Sequence, residues 1–150
     1  MSKNITKHEY QNLVNKSMPP TKVFRNILAA FFTGGVICAV GQVFFIILTA
    51  LKMDKETSSM MTTVIMIFLG ALLTGLNIYD DIGKFGGAGA SVPVTGFSNS
   101  IVSPAMEYKK EGYVMGVGAK MFLIAGPVLV YGIFASVVGG LIYFLWIQVK

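Results

Sequence analysis

Three stretches of this chain carry no charged residue: Ile27–Leu51, Thr57–Tyr79 and Met121–Val149, of 25, 23 and 29 residues. A helix rises about 1.5 Å per residue and the hydrocarbon layer is about 30 Å thick, so roughly 20 apolar residues make one crossing. All three runs are long enough. A soluble bundle with buried central helices is the alternative, but it needs charged helix faces that these runs lack. Only 13% of the residues are charged, against about 25% in an ordinary soluble domain. The sequence therefore predicts an all-α polytopic membrane protein. It has about three spanning helices, near residues 22–51, 57–79 and 112–147, in one transmembrane domain over 21–150.

Residues 1–20 form a polar leader. Within it Ser2–Ser17 reads as a short surface helix, with Tyr10, Leu13 and Val14 on one face. It either lies in the headgroup layer against membrane lipid or forms a solvated arm. Pro19 and Pro20 stop it, and Thr21 is placed to cap the next helix. The first apolar run is too long for a secretory h-region and no small-residue cleavage site follows, which predicts an uncleaved signal anchor. Lys3, Lys7, Lys16, Lys22 and Arg25 precede that run, whereas Lys52, Asp54, Lys55 and Glu56 in the next loop balance. The positive-inside tendency then places the N-terminus in the cytoplasm.

The short Lys52–Glu56 connection makes the first two spans an antiparallel hairpin. In lipid, helices associate where small side chains let backbones approach. Candidate contacts are Ala30, Gly34 and Cys38, then Gly70–Thr74 and Ala71–Gly75, and above all the stripe Gly132, Ser136 and Gly140. A kink is expected at Gly126–Pro127. Cys38 is the single cysteine, which excludes a disulfide framework.

Asp80–Glu111 differs from the rest. Phe85–Met106 is uncharged, yet Gly86, Gly87, Gly89, Pro93, Gly96 and Pro104 oppose a continuous helix, and several Ser, Thr and Asn side chains interrupt its apolar character. Irregular backbone at membrane depth persists only when buried in protein or lining a wet cavity. The expectation is a re-entrant element over about 83–110, with a turn through Gly83–Ala90 and a helix from Pro93 to Lys110. A distorted fourth span is the alternative. Gln42, Asn77 and Lys120 are polar groups inside apolar runs, and Asp80, Asp81 and Lys84 adjoin the glycines. They read either as a polar path, or as helix–helix hydrogen bonds and, for Lys120, snorkelling to headgroups.

No catalytic or metal-binding set is legible. His8 is alone in the leader, no nucleophile elbow occurs, and the glycines lack the GxxxxGK[ST] spacing of a phosphate loop. Neither a cofactor nor a nucleic-acid partner is expected.

The runs NSIVSPAMEYKKEGYVMGVGAKMF (Asn99–Phe122) and AGPVLVYG (Ala125–Gly132) resemble the stage V sporulation protein AC/AE family of spore-forming bacteria. Length, leader and hydrophobic layout extend the resemblance over nearly the whole chain. It implies membership, with related stage V subunits, of an assembly in the inner membrane of the developing spore. That assembly moves dipicolinic acid, as its calcium chelate, into the forespore and out again in germination. The resemblance also implies a tension-responsive channel. For such a solute, Lys84, Lys120, Ser98, Asn99 and Ser100 are candidate donors to carboxylates, and Asp80 and Asp81 are the groups that tolerate calcium. Three helices cannot enclose so wide a path, so a homo- or hetero-oligomer is expected. The alternatives are a non-conducting scaffold of the same assembly and an intramembrane enzyme, which has no plausible nucleophile–base or metal set.

Overall fold

A computed structural model describes residues 7–17 and 22–149. The first helix, α1, is Lys7–Ser17, with Tyr10 and Leu13 exposed. Residues 2–6 of the expected surface helix, the Pro19–Pro20 stop and the Thr21 cap lie outside the described residues. The next helix, α2 (Val23–Ala50), begins at Lys22, which makes no side-chain capping bond. None of its residues is fully buried, as suits a helix in hydrocarbon. After Lys52, which takes a left-handed φ of 62°, α3 (Lys55–Gly75) starts on a true cap. The Asp54 carboxylate accepts the Thr57 N–H at 2.9 Å.

The second apolar run does not stay helical to Tyr79. Asn77 adopts φ 60°; its N–H donates to Thr74 O, and the Ile78 N–H donates to Leu73 O, both at 2.9 Å. This is the Schellman arrangement, in which a left-handed residue lets the last carbonyls find donors. Asparagine adopts that conformation more readily than most side chains. The helix therefore ends at Gly75, and Asn77 is a turn residue.

Three short helices follow: α4 (Tyr79–Gly86), α5 (Ala88–Ser91) and α6 (Val94–Glu107). The turn expected through Gly83–Ala90 is confined to its middle. Lys84 pairs with Asp80 at 2.9 Å and Asp81 at 3.2 Å, four and three residues back. These pairs and the favourable charge order along the dipole support helix through Gly86. The break falls at Gly87, whose φ of 50° disfavours any Cβ. Pro93 stands just before α6 without a side-chain capping bond, and Pro104 lies inside the helix without ending it.

A 3-10 turn (Tyr108–Glu111), Gly112 at φ 96° and a π-helical segment (Tyr113–Gly118) lead into α7, Ala119–Val149. The predicted third span thus begins as π-helix, and α7 runs through Pro127 as one helix. Among the described residues there is no strand. Three helices among the described residues are long and apolar enough to cross a membrane: Val23–Ala50, Lys55–Gly75 and Tyr113–Gln148. The chain is an all-α integral membrane protein.

Packing concentrates around α6, which lies mainly against α3 and also against the start of α7, while α2 packs on α3, α4 and α5. The closeness depends on missing side chains. A Cβ on Gly70 would come within 2.7 Å of Thr95 O, and one on Gly86 within 2.5 Å of the Thr33 side chain. One on Gly89 would strike the Ala30 carbonyl. The first turns of α7 are anchored by buried Ala125, whereas Pro127–Gln148 is exposed throughout.

Candidate functional site

The end of α3 and the end of α6 meet around one polar cavity of about 370 Å³. It is lined by Thr74, Asn77, Asp80, Asn99, Ser103, Met106 and Glu107. Thr74, Asn77 and Asp80 mark where the chain leaves α3; Ser103, Met106 and Glu107 mark where it leaves α6. The α4–α6 segment therefore returns to the end of the bundle from which it departed. The 14 residues of α6 reach roughly 21 Å, short of a hydrocarbon crossing of about 30 Å.

One hydroxyl sets the inner wall. Thr74 donates to Gly70 O at 2.7 Å, and its Oγ1 lies 2.9 Å from the Asn99 side-chain amide. A hydroxyl has a single proton. With that proton on Gly70 O, the contact is satisfied when Asn99 turns its NH₂ towards Thr74 and its carbonyl away. The cavity then combines amide groups from Asn77 and Asn99, hydroxyls from Thr74 and Ser103, and carboxylates from Asp80 and Glu107. The acids outnumber the bases here, since Lys84 alone neutralises one of Asp80 and Asp81.

Behind this cavity lies a buried polar knot that joins the three short helices. The Tyr79 hydroxyl sits 2.8 Å from both Ala90 O and Thr95 Oγ1, and Tyr79 is only 3% exposed. It donates to the carbonyl and accepts from the threonine, so each hydrogen bond has its own proton. Ser98 donates to Ile67 O at 2.9 Å. These bonds serve buried groups that no water reaches, and they fix α4, α5 and α6 on one another and on α3.

The predicted site residues divide accordingly. Asn77, Asp80 and Asn99 come together in the cavity, while Asp81 and Lys84 form the exposed ion pair beside it. Ser98 belongs to the α3–α6 contact. Ser100 donates back to Phe97 O in its own helix, so its hydroxyl is occupied. Lys120 sits at the base of α7 with its ammonium 4.5 Å from the centre of the Tyr108 ring, a cation–π contact that ties α7 to the turn after α6. Gln42 is exposed on α2, not turned towards the other helices, because the hairpin contact uses a different face. Gly34 faces Gly89 and Gly70 faces Thr95, whereas Cys38 is exposed. Gly132 and Gly140 meet nothing within 4 Å, and Ser136 donates to Gly132 O within its own helix. The expected α7 stripe has no partner within the described chain, since α7 projects past the short helices.

Three further polar groups line the cavity, Thr74, Ser103 and Glu107, which composition does not single out: Thr74 reads as a small packing residue, Ser103 is one hydroxyl among many, and Glu107 belongs to a charged run. For the two on α6 the signal is helical spacing from Asn99: Ser103 follows by four and Glu107 by eight, on one face; Thr74 has no such signal.

Residues 26–142 match the family described as SpoVAC/SpoVAEB sporulation membrane protein. The chain is 44% identical over 141 residues to Stage V sporulation protein AC of Bacillus subtilis (strain 168), an alignment covering 92% of this chain and 93% of that protein. No solved structure matches.

Proposed function

This chain belongs to the SpoVAC/SpoVAEB family of sporulation membrane proteins, and from that premise we propose that it is a channel or transport subunit for dipicolinic acid, moved as its calcium chelate. The observation that carries the reading is the polar cavity where the short helices return to the end of α3. Calcium is a hard cation that takes oxygen ligands, and Asp80, Glu107 and the amide carbonyls supply them. The chelate's carboxylates find donors in the Asn77 amide, the Ser103 hydroxyl and the N–H of Asn99 that Thr74 does not use. A planar, partly neutralised solute needs both kinds of group, and lipid offers neither.

The cavity is a vestibule, not a pore. Conduction requires further copies or related stage V subunits to complete the wall. In this reading the protein resides in the inner membrane of the developing spore with its N-terminus in the cytoplasm. In-plane tension would act on the contacts of Gly86 with Thr33 and Gly89 with Ala30. They are close, and no side-chain hydrogen bond joins α2 to α4 or α5 among the described residues, so α2 can separate from α4–α5 without breaking one.

The test is dipicolinate flux in spores carrying Asn99→Leu or Asn77→Leu, with protein levels verified. Release slowed several-fold in both supports the proposal; uptake and release at the parental rate in both remove the cavity from the path. A second reading is a non-conducting scaffold of the same assembly, favoured by the long exposed stretch of α7. Purified protein in liposomes separates the two. Solute loss on osmotic downshock supports a channel, and silence at full incorporation supports a scaffold.

A further inference from the structure

On the far side of the short helices from the polar cavity, α2, α3 and α4 enclose a crevice of about 390 Å³. Its walls include Phe32, Val36, Ile37, Met66, Leu69 and Ile82. We propose that this crevice holds one acyl chain of an anionic phospholipid whose headgroup is met by Arg25 and Lys22.

The lining suits a hydrocarbon chain. Along α2 it runs from Phe32 to Val40, roughly 12 Å at the helical rise, and an acyl chain can follow a groove of that length. The walls are almost wholly apolar, so no ordered water or polar solute is stabilised there.

Charge selects the headgroup. Arg25 precedes Phe32 by seven residues, close to two full turns, so both lie on the same face of α2. Lys22, the residue just before α2, stands three positions further out at the same end of the helix. Arg25 stands roughly 10 Å from Phe32 along the axis, where a lipid with its chain in the crevice would carry its phosphate. Both cations are exposed, and among the described residues neither has an ion-pair partner. The third nearby base, Lys84, is already engaged by Asp80 and Asp81. An anionic lipid therefore gains charge-assisted hydrogen bonds that a zwitterionic lipid obtains only against its own ammonium.

The test uses tryptophan quenching by brominated lipids in a Trp146→Phe background, with the protein reconstituted in vesicles. Val36→Trp reports the crevice, and Val137→Trp on exposed α7 reports ordinary lipid contact. The expected result is quenching of the crevice tryptophan by brominated phosphatidylglycerol with an apparent affinity several-fold above that for brominated phosphatidylcholine. The α7 reporter should show a ratio near one, and the crevice preference should fall to near one when Arg25 and Lys22 become glutamine. Equal quenching by both lipids at the crevice would mean ordinary bilayer contact only and would overturn the proposal. So would the absence of quenching by either lipid there, because the crevice would then hold protein. Leu69→Trp repeats the measurement from the opposite wall should Val36→Trp disturb the fold.

Discussion

At the scale of single residues, the short segment depends on where side chains are absent and where one proton goes. Gly70 lets α6 approach α3 until the Thr95 backbone would meet a Cβ at 2.7 Å. Because that neighbour is backbone, it cannot swing aside. Gly70→Val should destabilise the protein by roughly 1–3 kcal/mol, as overpacking does, which chemical unfolding in detergent would measure. Ser58 is the opposite case. It is fully buried, and its hydroxyl has no hydrogen-bond partner among the described residues. Replacing it with alanine should leave stability unchanged or raise it by about 1 kcal/mol, since an unsatisfied group carries a desolvation penalty; a clear loss would reveal a partner for the hydroxyl. The sequence marks Asn99 and Asn77 because amides stand out in apolar surroundings. It does not separate them from Gln42, since polarity says that a side chain needs a partner and not on which face the partner lies.

At the scale of elements, helix ends were less legible than helix existence. The second apolar run continues to Tyr79, so hydropathy carries α3 past Asn77. Only the left-handed tolerance of that asparagine ends the helix at Gly75. The same holds before Gly87: the glycines and prolines announce an irregular segment, but its start is helix through Gly86, to which the exposed Asp80–Lys84 and Asp81–Lys84 pairs contribute. The start of α3 gives a pH dependence. The Thr57 hydrogen bonds to the Asp54 carboxylate hold its pKa below the ordinary 3.8. A depressed carboxylate contributes stability that is complete above the unfolded value and is lost as pH falls through the folded one. Melting temperature should therefore drop from about pH 5 downward, and the drop should be shallower in Asp54→Ala. Parallel curves for the two proteins would show that the cap does not couple to folding.

At the scale of the whole molecule, membrane residence was the most legible property because it needs only length and the absence of charge. Three long apolar helices are present as expected. What no composition could give is that α7 leaves the bundle after Ala125 and carries Gly132, Ser136 and Gly140 into space that other chains or lipid must fill. Residue spacing announces a sticky face without saying whose. If α7 meets another copy, Gly132→Leu with Gly140→Leu should lower the oligomer fraction in crosslinking while leaving the monomer's melting temperature within a few degrees. An unchanged crosslinking pattern would assign that face to lipid or to a different subunit.

In the architecture proposed for this protein, the short helices α4–α6 enter and leave the membrane on one side. Single cysteines at Lys22, Asp81, Lys110 and Gln148, each in a Cys38→Ser background, can be challenged with an impermeant maleimide in right-side-out and inverted vesicles. Lys22, Asp81 and Lys110 should label from one face and Gln148 from the other. Labelling of Asp81 and Lys110 from opposite faces would make the segment a fourth crossing and contradict the account.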